Sequence, residues 1–139
     1  MRLWHYTLLP YLPKSQLLAQ KRECDLIWKD LSTGKQTNHI LINYMWKYHK
    51  PDVELYQYYT MLADEFDKRG YVFNYSEYIM KDYYRVTLHP FANHHDTQYL
   101  VQCFYNLQEK YTRGQKDFDY NVYLKLTEFV RKEVNSYVE

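Results

Sequence analysis

The sequence is poor in glycine and proline, three and four in 139 residues, which disfavours a turn-rich β-sandwich or barrel. It has two cysteines, Cys24 and Cys103, far apart and with no CxxC. Two lone thiols in an intracellular domain are the simpler reading, and a single pairing stays open. No stretch approaches the ~18 apolar residues of a membrane helix. The apolar opening after Arg2 is interrupted by His5, Pro10 and Pro13, too broken for a signal peptide. There is no glycine-rich phosphate loop, no HExxH and no serine-nucleophile motif. His94-His95, with His89 and Cys103, does not make a metal site, since adjacent histidines at a helix start point different ways and Cys103 lies two turns along. The expectation is a soluble cytoplasmic protein without a metal.

What is present is aromatic. Tyr, Phe and Trp are 19% of residues and 18 are tyrosines, which argues against disorder. The length fits one domain, 1–139, able to bury its own core. The net charge of +1 is an average of unlike parts: residues 1–50 carry eight Lys/Arg against three acids, +5, and residues 51–139 carry ten against fourteen, −4. Such asymmetry suggests that the N-terminal third meets an anion, or else the acidic remainder of its own chain.

The patterning is helical. Ser15 to about Leu31 reads as a first helix with Ser15 as N-cap, Gly34 as stop, and Leu17, Cys24, Trp28 and Leu31 as its apolar stripe. Glu23 falls between Ile27 on one flank and Ala19 with Leu26 on the other, so it is either a partly desolvated carboxylate or an ordinary solvated one. Lys21, Arg22 and Lys29 lie away from it. Residues 38–49 fit a strand, a helix turn or an ordered loop. Pro51-Asp52 opens a second helix with Leu55, Tyr59, Leu62 and Phe66 as its core face, closed by Lys68-Arg69-Gly70. Residues 71–93 read as irregular and tyrosine-rich. A third helix runs from about Asp96 to Tyr111 and a fourth from about Tyr120 to Val134. The fold class is mostly α: three to four helices in one compact domain with irregular, tyrosine-rich connections.

The opening Met1-Arg2-Leu3-Trp4-His5, the run Gln16-Leu17-Leu18-Ala19-Gln20-Lys21-Arg22-Glu23-Cys24, the segment Asn43 to Tyr48, Leu55-Tyr56, and Lys68-Arg69-Gly70-Tyr71 together carry a resemblance. The chain resembles the phage-type pyrimidine-dimer DNA glycosylases, the endonuclease V group of UV-damage repair enzymes, and most strongly small bacterial relatives with a similar opening. The first 85 residues or so carry the likeness well and the last 50 loosely.

The resemblance implies a compact three-helix protein that flips nucleotides from damaged duplex DNA, cuts the glycosidic bond of a pyrimidine dimer and nicks the backbone by β-elimination. It implies an N-terminal α-amine as nucleophile, a carboxylate at Glu23 and an arginine at Arg22. Relatives begin with a small residue after methionine removal; an initiator is usually kept before a large side chain such as Arg2, which makes the amine that of Met1, one residue further out, and then either the pocket is arranged for it or the lyase step is absent. A histidine of the phage enzyme's DNA site falls at Gln16, and a second arginine of its DNA-contacting helix falls at Leu26.

Elementary chemistry agrees. An α-amine has a reference pKa of about 7.7–8.0 against about 10.4 for lysine, so a usable fraction is neutral at pH 7. It can attack a sugar C1′ while Glu23 steadies developing positive charge and takes the C2′ proton. Arg22 suits a phosphate. The DNA-facing set is Arg2, Trp4, His5, Lys14, Gln16, Lys21, Lys29, Trp46 and Lys47; for the aromatics, and for Tyr48, core packing is the competing reading. The expected protein is a monomeric DNA glycosylase/AP lyase needing no cofactor. One rival is a catalytically inactive damaged-DNA-binding module of the same fold. Another is a protein-interaction domain with an exposed tyrosine face.

Overall fold

The computed structural model describes residues 2–36 and 39–138, the side chains of 136–138 excepted. It contains four α-helices, α1 (Lys14–Ser32), α2 (Pro51–Lys68), α3 (Thr97–Thr112) and α4 (Tyr120–Val138), and two short 3-10 helices, Tyr6–Tyr11 and Asn43–Lys47. No strand occurs among the described residues.

The helix ends follow local chemistry. Pro51 sits in the first turn of α2, where its missing N–H is no loss, and Asp52 and Glu54 face the positive helix end. Asp96 caps α3 by accepting from the Tyr99 N–H. Ser15 does not cap α1. It lies inside the first turn, after Pro13, and its hydroxyl donates to the Lys116 carbonyl at 3.0 Å. Each glycine follows a helix at positive φ. At Gly70 (φ +76°) the Tyr71 N–H reaches back to Phe66 O and the Gly70 N–H to Asp67 O, at 2.8 and 3.0 Å, while the Tyr71 and Phe66 rings meet edge to face. A Cβ-bearing residue would be strained in that left-handed turn.

Helix α1 packs on α2 and α3 on α4, and the 3-10 segment Tyr6–Tyr11 fits between α2 and α4. The centre is unusual in where it comes from: Leu3, Trp4, Leu8, Leu9 and Leu12 are all buried, so the chain enters through its own core. Leu17, Cys24, Ile27 and Trp28 of α1, the expected face of α2, and Leu100, Cys103 and Leu107 of α3 close around it. Helix α4 belongs to the same core through Leu126 and Val130, and Tyr11 stacks on Phe129 at 4.4 Å. Both cysteines are free and buried.

Residues 71–93 form no regular element and are held by side chains instead. Gln57 of α2 is fully buried; its Oε1 accepts from Val86 N and Thr87 N and its Nε2 donates to Tyr84 O. Asp25 of α1 accepts from the Tyr59 hydroxyl, which in turn accepts from Ser76 N. No helix among the described residues is long and apolar enough to cross a membrane.

Candidate active site

The site begins with the extended segment Arg2–His5 laid along α1. Gln20, 1% exposed, reads this backbone as a neighbouring strand would: its Oε1 accepts from Trp4 N at 2.7 Å and its Nε2 donates to Arg2 O at 2.8 Å. Tyr58 of α2 reaches the Trp4 carbonyl at 2.8 Å, and Tyr99 of α3 donates to Leu3 O. Burial pushes the Tyr58 and Tyr99 hydroxyls up in pKa, so both stay protonated donors. Three helices thus hold residues 2–4 in one register.

The next residue is pinned as firmly. His5 Nδ1 accepts from the Thr7 N–H, and its Nε2 donates to His95 O at 2.9 Å. His95 Nδ1 accepts from Tyr6 N and its Nε2 meets the Tyr44 hydroxyl at 2.8 Å. Burial drives the His5 pKa down to about 4 and that of His95 well below its ordinary value, so both rings are neutral at pH 7.

Beside this segment lies a cavity of about 320 Å³ lined by Arg2, Trp4, Gln16, Ala19, Gln20, Glu23, Leu41, Asn106 and Lys110. Residues 16, 19, 20 and 23 form one face of α1, which is why the helix offers them together. Glu23 Oε2 is buried and has no hydrogen-bond partner among the described residues. A buried polar atom without a partner costs about 1–3 kcal/mol, so its presence in a cavity asks for a ligand. The Arg2 guanidinium lies 5.8 Å from the Trp4 ring centre and 5.9 Å from that of Tyr99, a cation held against two aromatic faces. The Trp4 indole N–H donates to Gln16 Oε1 at 3.3 Å.

The structure brings Arg2, Trp4, Gln16 and Glu23 together and disperses the other residues singled out in the sequence. Met1 lies outside the described residues. Arg22 does not line the cavity. Successive helix residues point about 100° apart, and Arg22 faces a neighbouring groove with Asp25, Leu26, Lys29 and residues 74–78. Lys21 is ion-paired to Asp25 at 2.7 Å and lies over Phe73. Lys14 lies over Tyr71 and Lys29 over Tyr78. Lys47 opens onto a separate pocket with Tyr44, Tyr48 and His94, and Trp46 is half-buried in the second 3-10 helix. His5 is interior, so the core-packing reading holds for it and it offers no exposed ring to a base. Trp4 is also buried, though it forms part of the cavity wall.

Sequence reasoning missed Gln20 as a structural clamp, and Leu41, Asn106 and Lys110 as cavity residues. Only the last two left a trace: they continue the Tyr99–Cys103 face of α3. His89 bonds the Tyr6 hydroxyl, and among the described residues no three His, Cys, Asp or Glu side chains converge as a metal site would need.

One comparison with known proteins gives a match. The family described as pyrimidine dimer DNA glycosylase matches residues 1–78, more than half of the chain and the part that supplies the N-terminal segment and α1. No curated protein and no solved structure gives a match. With Glu23 in a cavity beside a rigidly held N-terminal segment, and with that match, the chain belongs to the pyrimidine dimer DNA glycosylase family.

Proposed function

We propose that this protein is a DNA N-glycosylase with AP-lyase activity on pyrimidine dimers or other damaged bases in duplex DNA. The observation that carries the reading is the unpartnered Glu23 oxygen in a cavity walled by the fixed backbone of Arg2–Trp4. The nucleophile is the α-amine of Met1, the residue joined to Arg2.

In this mechanism the neutral amine attacks C1′ of the damaged nucleotide. The C1′–N bond to the base breaks, and the base leaves with the electron pair and takes up a proton. Loss of a proton from nitrogen and opening of the C1′–O4′ bond, with O4′ protonated, give the Schiff base. The Glu23 carboxylate steadies the positive iminium and then removes a C2′ proton. The C3′–O3′ bond breaks, the phosphate departs with its electrons, and water hydrolyses the imine to return the amine. No metal or organic cofactor takes part.

Arg22 and Lys29, exposed in the adjoining groove, grip backbone phosphates outside the cavity. The partner is damaged or abasic duplex DNA, and the protein acts as a monomer in the cytoplasm. Glu23→Gln keeps the size of the side chain and removes the base. It should bind abasic duplex as the wild type does and lose nicking by at least 100-fold. Equal nicking by both proteins refutes the role of Glu23. Salt-dependent binding with no nicking by the wild type supports the inactive binding module.

A further inference from the structure

Arg2 and Glu23 line one cavity, yet they do not pair. Lys21, Arg69, Lys81, Arg85 and Arg113 each hold a carboxylate, whereas Arg2 has none within 4.0 Å among the described residues. A cation and a carboxylate with an unpartnered oxygen would gain by meeting across so small a space. The packing holds Arg2 back. Its carbonyl is tied to Gln20, and its guanidinium lies against the Trp4 and Tyr99 rings, beside the Tyr99 hydroxyl and the Cys103 sulfur. The two charges are kept on different walls, with room for a substrate between them.

The place of Arg2 in the chain indicates which part of the substrate it meets. It is joined to the residue whose amine attacks C1′, and the damaged base hangs on that same carbon. A guanidinium beside aromatic rings still presents a planar edge of N–H donors. A pyrimidine offers that edge its O2 carbonyl, next to the glycosidic nitrogen N1. The cyclobutane link of a dimer joins C5 and C6 and leaves N1, C2 and O2 intact.

We infer that Arg2 is a catalytic residue of base removal, donating to O2 of the departing pyrimidine; this rests on the reaction proposed above. As the amine lone pair forms the N–C1′ bond, the C1′–N1 bond breaks and its electron pair passes to N1. That pair is shared through C2 with O2, which gains negative charge. The guanidinium keeps its own protons and holds the anion until water supplies a proton to N1. The charge on O2 grows only as the bond breaks, so the contact stabilises the transition state more than the bound substrate. The elimination asks nothing of Arg2, because the glycosidic bond is already broken when Glu23 takes the C2′ proton.

The test uses the full chain with Arg2→Gln and with Arg2→Met, which keeps apolar packing against the two rings. Intact mass selects preparations that retain Met1. The rate of covalent trapping by cyanoborohydride is measured on two duplexes. One carries a single thymine dimer, where trapping requires the base to leave; the other carries a natural abasic site, where it does not. The ratio of the first rate to the second should fall roughly 100-fold in both variants. An unchanged ratio overturns the inference, whether both rates hold or both fall together as they would for a phosphate contact or a packing residue. A wild type that is trapped on the abasic duplex and not on the dimer sinks the glycosylase reading. One trapped on neither sinks the whole proposed reaction, and in both cases the role of Arg2 falls with it.

Discussion

Gln20→Ala separates the clamp on the N-terminal segment from everything else in the site. The wild-type amide is 1% exposed and satisfies two backbone groups, Trp4 N–H and Arg2 C=O, besides accepting from the Tyr58 hydroxyl. Truncation leaves the Trp4 N–H and the Arg2 carbonyl without protein partners. Tyr58 keeps its bond to Trp4 O and adds little to the loss. At about 1–3 kcal/mol for each buried group, reduced where water from the adjoining cavity can reach it, the cost is about 2–4 kcal/mol. At about 3–5 °C per kcal/mol for a chain of this size, the melting midpoint falls by about 10 °C. Urea titration and calorimetry measure this directly. Nicking of abasic duplex at 20 °C, where the variant is still folded, should drop by about 100-fold, because a 1 Å error in placing a nucleophile costs about that much. A stability loss below about 0.5 kcal/mol, with nicking intact, refutes the idea that Gln20 sets the register of residues 2–4.

Three further outcomes follow from the same structure. His5 is neutral and buried, with its pKa lowered from 6.5 to about 4. Because the unfolded chain takes the proton first, stability is full above pH 6.5 and is lost as pH falls toward 4, by about 3 kcal/mol from His5. His95 adds to the loss in the same direction. Urea midpoints at pH 7.5, 6 and 5 measure it, and a flat profile contradicts the assigned burial. Glu23→Leu removes the buried unpartnered oxygen, so it should raise stability by about 1 kcal/mol while ending nicking; a destabilised variant contradicts the cavity's description. Leu126→Ala in α4 empties a fully buried position and should cost about 2–5 kcal/mol by denaturant titration; a loss under 1 kcal/mol would mean that α4 is not part of the core.

Much of the helical framework was legible because its signals are local. The apolar spacing of α2, Pro51 at its start and the glycines beyond α1, α2 and α3 all act within a turn or two of the helix they define. The wheel also placed Glu23 beside Ala19 and Ile27. Ser15 misled because a serine after proline reads as a cap, whereas the hydroxyl instead bonds Lys116, 101 residues away. The segment 71–93 was readable as irregular but not as ordered. Its order comes from Gln57, Asp25 and Tyr59, polar side chains whose partners no periodicity reveals. His5 looked available because histidine is polar, yet its partners Thr7 and His95 remove both ring nitrogens. Arg22 immediately precedes Glu23, and the resemblance pairs the two; helical geometry turns Arg22 into the next groove, on the side where the wheel had already set it. Lys110 left no more than its place on the Tyr99–Cys103 face as a trace, because its relation to Glu23 exists only after α3 folds back on the N-terminal segment.

The central claim is that the first residue's amine and Glu23 work together in one cavity. Borohydride trapping on an abasic duplex, followed by peptide mapping of the adduct, tests it most directly. The account predicts a covalent adduct on the α-amine of Met1, with little strand nicking by Glu23→Gln. An adduct on a lysine side chain, or no adduct with wild-type protein that binds the same duplex, would contradict it.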